Sequence, residues 1–372
     1  MSSQILNLGK ASRLEEHIQI TVNSLREGKL IVFPTETVYG LGALASNEEA
    51  ISRLISAKGR KAGHALPIAI SGLEVLSRYV PVVDVISERL ARRCWPGPLT
   101  LVLDGASPAS ELRKLPASVQ HAIMPMQQVG FRVPRHDFFL EVLRQIDEPI
   151  VLTSANLTGE PPAVTPDMAK VGLGDRPDLF IDDGPAYFKN PSTVVAVSGN
   201  RLSVIREGAI SRENIKRLTA KIILFVCTGN TCRSPMAEVL CSRILANQFS
   251  CGIEELEDNG YVVMSAGVAT MGATGASAGA QEAIREFGLS LDQHESQPVC
   301  DSLLKFADLI FVMGRAHRDA ILSRWPQVAD RLFLLDPEGR DIVDPLGGNV
   351  DVYRDCAKQI NEAILKRIDR II

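Results

Sequence analysis

The feature that most constrains this 372-residue sequence is a run of five apolar residues that ends in a nucleophile. Ile222-Ile223-Leu224-Phe225-Val226 has no polar position, the pattern of a strand covered on both faces in a parallel sheet. It leads into Cys227-Thr228-Gly229-Asn230-Thr231-Cys232-Arg233-Ser234-Pro235, and then into Met236-Ala237-Glu238-Val239-Leu240, which reads as a helix start. Proline is tolerated in a first helical turn because the N–H it lacks has no acceptor there. A strand, a short loop and a helix N-terminus can therefore wrap backbone N–H groups around a tetrahedral anion. The same field favours the thiolate form of Cys227. Arg233 supplies a planar fork for two phosphoryl oxygens, which a lysine would do poorly. Ser234 can hydrogen-bond the sulfur, first as thiolate and later as leaving group. Gly229 permits a tight turn, and Asn230 suits an unusual backbone conformation. A thiolate that attacks phosphorus needs an acid for the departing group. Asp344, in Asp341-Ile342-Val343-Asp344-Pro345, is the candidate, with Pro345 stiffening its loop.

Further strands are expected in this second unit over 261–264, 309–313 and 332–335. Upstream, helical periodicity over 14–25, 50–57, 83–94 and 138–146 alternates with apolar runs over 30–33, 66–70, 100–103, 129–133 and 150–153. Such alternation predicts an α/β unit with helices covering a sheet. A short helix over 211–220, with Ser211 as N-cap, connects the two, so the seam is expected near residue 215. The length suits two domains.

Hydrophobic residues make up 45% and charged residues 23%, which excludes a disordered tail, a collagen-like fibre and a coiled coil. No apolar window is long enough to span a membrane. The first ten residues have neither a basic nor an apolar export region, so a cytoplasmic protein is expected. Residues 1–215 carry 23 Lys/Arg and 23 Asp/Glu, and the rest carry 17 and 21. Neither half has the basic excess that stable binding to DNA requires. The seven cysteines (94, 227, 232, 241, 251, 300 and 356) show no paired spacing of a zinc site or disulfide framework.

In the first half, neither GxxxxGK[ST] nor GxGxxG is present. Polar clusters follow strands instead: Pro34-Thr35-Glu36-Thr37-Val38-Tyr39-Gly40-Leu41-Gly42, Arg132-Val133-Pro134-Arg135-His136 and Thr153-Ser154-Ala155-Asn156. Lys58-Gly59-Arg60 follows a helix, and Trp95-Pro96-Gly97-Pro98-Leu99-Thr100 forms a stiff corner. Each is weak alone. Together they set polar groups beyond strand ends, where open α/β folds bind ligands.

With VCTGNTCRSPMAE, SAG (265–267), FGLSLDQHES (287–296), ADLIFVM (307–313) and DPLGG (344–348) in order, residues 221–372 resemble the low-molecular-weight protein phosphatases. The resemblance implies a domain with a central parallel sheet and a phosphocysteine mechanism without metal or cofactor. In it Cys227 is the nucleophile, Arg233 the phosphate clamp and Asp344 the acid. Thr228, Gly229, Asn230, Thr231, Cys232 and Ser234 complete the phosphate loop. Thr231 and the short Leu346-Gly347-Gly348 turn resemble the protein-arginine phosphatase branch. The implied substrate is therefore a phosphoprotein, with phosphoarginine ahead of phosphotyrosine and arsenate reduction third. Cys232 reads either as a packing residue or as a resolving thiol for oxidised Cys227.

The clusters of residues 10–212 resemble the YrdC-like threonylcarbamoyl-AMP synthases, a twisted-sheet α/β family. The implied reaction joins L-threonine, bicarbonate and ATP, with Mg²⁺ accompanying the nucleotide. Its product feeds downstream tRNA-modification enzymes that make threonylcarbamoyladenosine. The resemblance assigns Thr35, His64 and Arg132 to threonine, and Lys58, Arg60, Ser154, Asn156, Ser192 and Arg206 to ATP. Lys61 and Ala65 stand where the family commonly has proline. A non-catalytic RNA- or nucleotide-binding first half is the alternative.

Overall fold

The computed structural model describes residues 3–9, 13–59, 65–199, 201–270 and 272–372. The chain divides into two compact units, Met1–Ile215 and Lys216–Ile372.

The first unit is built on a ten-stranded mixed sheet. Its strands are β1 (Gln4–Asn7), β2 (Ile31–Phe33), β3 (Gly40–Leu44), β4 (Ile68–Ala69), β5 (Leu99–Asp104), β6 (Gln128–Arg132), β7 (Ile150–Ser154), β8 (Leu179–Asp182), β9 (Thr193–Ser198) and β10 (Arg201–Arg206). Their order is β1-β8-β2-β3-β7-β4-β6-β5-β9-β10. The run over 66–70 yields only the two-residue β4, which pairs β6 in parallel and β7 in antiparallel fashion. The helix Asp137–Ile146 packs its apolar stripe on the sheet, where Phe139 stacks on Phe33 at 4.2 Å between ring centroids. The last three residues of the 34–42 motif are strand rather than loop. A side chain at Gly40 would come within 2.7 Å of Leu152, and one at Gly42 within 3.1 Å of Phe33 and Ile150. Those glycines let the strands pack closely.

The second unit has a four-stranded sheet, β11 (Lys221–Cys227), β12 (Tyr261–Gly267), β13 (Leu309–Val312) and β14 (Leu332–Leu334), in the order β12-β11-β13-β14. Every pairing in it is parallel. Successive residues of β11 point to opposite faces, as a strand requires. Ile223 and Phe225 join a core containing Met236, Leu240 and Ile360. Leu224 and Val226 join another containing Ile310, Ile321 and Trp325. Helices Arg233–Phe249 and Val350–Leu365 supply the first core, and Arg315–Arg324 contributes to the second. The connecting helix is Arg212–Thr219, and Ser211 accepts a hydrogen bond from Asn214 N at 3.2 Å. Among the described residues, no helix is long and apolar enough to cross a membrane.

Candidate functional sites

In the second unit, β11 delivers Cys227 to the edge of a loop that ends in the helix Arg233–Phe249. The first-turn N–H groups of that helix have no intrahelical acceptors and face the loop. Cys227 Sγ lies 2.9 Å from Ser234 Oγ and accepts from Asn230 N at 3.3 Å. The left-handed residue is Asn230 (φ 55°), whereas Gly229 lies outside that region. The tight turn thus rests on the asparagine, and its side chain explains why. Asn230 Nδ2 donates to Ser234 Oγ (2.9 Å) and Ser265 Oγ (2.8 Å), and its Oδ1 accepts from Gln297 N (2.8 Å). Its carbonyl lies 2.7 Å from His294 Nε2. Asn230 is wholly buried, so these bonds offset the cost of the strained backbone, of order 1–3 kcal/mol.

The network continues outward. Ser265 Oγ donates to Glu238 Oε2 at 2.5 Å, and burial pushes the Glu238 carboxyl above its usual range. Gly267, opposite Cys227 in register, leaves room for the loop: a side chain there would meet Thr228 O at 2.6 Å. Arg233 NH2 donates to Asp344 Oδ2 (2.5 Å) and to Thr228 Oγ1 (3.4 Å), and NH1 donates to Ile342 O (3.3 Å). The loop residues, Arg233 and Asp344 are thus gathered at one place. Thr228 Oγ1 also lies 2.9 Å from His317 Nε2, and burial, with Arg233 nearby, pushes this imidazole below its ordinary value. Cys232 and Cys227 are both free thiols, and Cys232 Sγ sits 3.2 Å from Ser277 Oγ. Sequence reasoning missed His317, Glu238, Gln297 and the reason for Gly267. Of these, SAG carried Gly267 and the MAE run carried Glu238, but only the fold gives them a mechanism.

In the first unit, one cavity of about 510 Å³ is lined by Thr35, Lys58, Arg132, Ser154, Asn156, Ser192 and Arg206. Strands β3 to β7, β9 and β10 all contribute to its walls. Arg60 and His64 lie outside the described residues. Lys58, the C-cap of helix Glu48–Ala57, is buried and donates to Ser154 O (2.5 Å) and Asn156 Oδ1 (3.4 Å). Arg132 NH2 lies 2.9 Å from Glu36 Oε1 and donates to Thr37 Oγ1 at 2.7 Å. Its Nε is buried with no hydrogen-bond partner among the described residues. Thr35 gives its proton to Val38 O (2.6 Å) and so shapes the turn. Arg206 NH2 donates to Ser192 O at 2.8 Å, while Ser192 Oγ lies 2.9 Å from Thr100 Oγ1. Desolvation, with Arg132 nearby, pushes the Arg206 guanidinium below its usual value. Glu36, the buried counter-ion of Arg132, was not foreseen. Three cationic side chains and one committed carboxylate leave a cavity suited to a multiply charged anion. Among the described residues, no three His, Cys, Asp or Glu side chains cluster as a metal site.

A family model for Sua5/YciO/YrdC proteins, described as "Telomere recombination", matches residues 23–208. A second, "Low molecular weight phosphotyrosine protein phosphatase", matches residues 222–371. The chain is similar to the threonylcarbamoyl-AMP synthase of Pyrococcus abyssi, at 36% identity over 211 residues. That match covers 56% of this chain and 59% of the synthase, so it spans little more than half of the relative. It is also similar to the protein-arginine-phosphatase of Bacillus subtilis, at 36% identity over 38% of this chain and 91% of that protein. A crystal structure of P. abyssi Sua5 complexed with L-threonine has a likeness in fold, with a TM-score of 0.52, 21% identity and coverage of 97% of both chains.

Proposed function

Because the chain belongs to the Sua5/YciO/YrdC family by residues 23–208 and to the low-molecular-weight phosphatase family by residues 222–371, we propose that it is bifunctional. On this reading a threonylcarbamoyl-AMP synthase domain (10–212) is followed by a protein phosphatase domain (221–372).

For the first activity, the convergence of Lys58, Arg132 and Arg206 on one cavity is the observation that carries the reading. The substrates are L-threonine, bicarbonate and ATP. The threonine amine bonds to the carbon of bicarbonate as water leaves, and an oxygen of the resulting carbamate attacks the α-phosphorus; the bond to the β-phosphate breaks, and pyrophosphate leaves with its electron pair. Such a reaction needs orientation and charge neutralisation more than a protein base. Lys58, Ser154, Asn156, Ser192 and Arg206 hold the nucleotide, with Arg60 assigned by sequence alone. Arg132, its NH2 fixed by Glu36 and Thr37, lines the cavity with Thr35 and is assigned the threonine carboxylate; His64 joins them by sequence alone. Mg²⁺ would be held by the phosphate oxygens and water, since oxygen ligands from the nucleotide suit it and no cluster of carboxylates stands ready among the described residues. It would supply further charge neutralisation. The test is pyrophosphate release from ATP, which should require both threonine and bicarbonate. Release that ignores threonine contradicts the assignment.

For the second activity, the meeting of Cys227, Arg233 and Asp344 carries the reading. The Cys227 sulfur forms a bond to phosphorus while the bond to the leaving group breaks, and Asp344 supplies the proton that the leaving atom takes up. Arg233 clamps two phosphoryl oxygens, which requires its contact with Asp344 to loosen. Water then attacks the S–P bond, Asp344 takes its proton, and the thiolate departs stabilised by Ser234. Phosphoarginine is favoured over phosphotyrosine. Thr231 stands in the loop, and Leu346, with its side chain largely exposed, follows Asp344-Pro345 where an aromatic ring would wall a tyrosine pocket. The similarity to an arginine phosphatase supports this choice. Phosphoarginine and phosphotyrosine peptides assayed side by side test it, with Thr231→Ile expected to shift the ratio toward phosphotyrosine. Equal loss on both would remove Thr231 as the selector.

A further inference from the structure

The segment that ends in Asp344 is gripped from two sides. On the sheet side, Ile342 N donates to Met313 O at 2.7 Å, and Asp341 Oδ1 accepts from Arg315 N at 3.0 Å. On the other side lies the helix Val350–Leu365. Gln359 Oε1 accepts from Val343 N at 3.1 Å, and Gln359 Nε2 donates to Asp341 O at 3.4 Å. One helical turn earlier, the Cys356 thiol donates to Val343 O at 3.3 Å. Burial pushes that thiol up to about 12, so it keeps its proton at neutral pH and remains a donor. Both backbone groups of Val343, the residue before the acid, are therefore held by side chains of one helix. Val343 contributes no anchorage of its own, because its side chain is 59% exposed. Asp344 is also half exposed, and its carboxylate contacts are Arg233 and the Leu346 N–H, at 3.2 Å. Arg233 must release that contact to hold phosphate, so it cannot fix the acid during the reaction.

We infer that Gln359 is a positioning residue for Asp344, acting through Val343 and seconded by Cys356. It sets the reach of the acid toward the departing atom. The inference rests on the phosphatase reading above, in which Asp344 gives a proton to the leaving group. A displacement of about 1 Å in such a group is enough to cost about a hundredfold in rate.

Leaving groups of different basicity separate this role from a merely structural one. As the S–P bond forms and the P–O bond breaks, the oxygen keeps the electron pair. 4-Nitrophenolate is stable without a proton, whereas phenolate needs one. On the full chain, Gln359→Leu should lower kcat/KM for phenyl phosphate about tenfold or more, and for 4-nitrophenyl phosphate by less than about threefold. Gln359→Glu keeps the acceptor for Val343 N and should recover part of the loss. Cys356→Ala should show the same selectivity, more weakly, and serves if Gln359→Leu does not fold. Asp344→Asn is the reference and should discriminate more steeply than either. If Asp344→Asn discriminates but Gln359→Leu and Cys356→Ala slow both substrates equally, or neither, the positioning role is wrong. If Asp344→Asn itself fails to discriminate, the acid assignment falls, and the inference with it.

Discussion

On the functions proposed above, the two units would hold phosphate groups in different ways. In the second, one contiguous loop of eight residues, 227–234, carries all but the acid, and a neutral, buried network around Asn230 holds its shape. In the first, the residues that line the cavity come from positions between 35 and 206, on strands, loops and a helix end, and three of them are cationic. A loop site relies mainly on backbone N–H groups, whose direction is fixed by the fold, and adds one cation, Arg233. A side-chain site must bury charges, which costs solvation and creates repulsion between neighbours such as Arg132 and Arg206. The first kind therefore couples function to stability, and the second sets them against each other.

The largest expected contrast is at Asn230. Asn230→Ala removes side-chain bonds to Ser234, Ser265 and Gln297 while leaving a left-handed residue. Phosphatase kcat/KM should fall by about a hundredfold, and the second unit should lose about 2–4 kcal/mol in denaturant unfolding. Activity and stability both unchanged would mean that the loop keeps its shape by other means. Next is Arg206→Met. ATP binding measured by calorimetry should weaken by about tenfold to a hundredfold, roughly 1.4–2.8 kcal/mol, with no loss of stability. A first unit destabilised as much as the second is by Asn230→Ala would break the contrast. A smaller effect separates two glycines. Gly267→Ala should cost about 1–3 kcal/mol of stability, because the methyl meets Thr228 O. Gly229→Ala should fall within about 0.5 kcal/mol, since its methyl meets only Thr231 Oγ1, at 3.6 Å. Equal costs at both positions would mean the loop is not seated on Gly267.

The same contrast explains what was legible in the sequence. The apolar run, the Cys-to-Arg spacing and Pro235 lie together, so local physics dictates the strand, loop and helix. The unusual backbone expected at Asn230 is there, at φ 55°, and only the fold shows the buried partners that hold it. Gly40 and Gly42 had no local explanation, because it is their cross-strand neighbours that require them. Strands β8, β9 and β10 give weak local signals, and their place in the sheet is set by pairing with distant residues. Glu36 and His317 are invisible locally because each matters through a partner far along the chain, Arg132 and Thr228.

The central claim is that one chain carries two separate chemistries, each with its own residues. Cys227→Ser in the full chain tests it most directly, with two assays on the same preparation. The account predicts that hydrolysis of phosphoarginine and phosphotyrosine peptides is abolished, while threonine- and bicarbonate-dependent pyrophosphate release stays at the wild-type rate. Phosphatase activity that survives the substitution, or pyrophosphate release that disappears with it, would contradict the account.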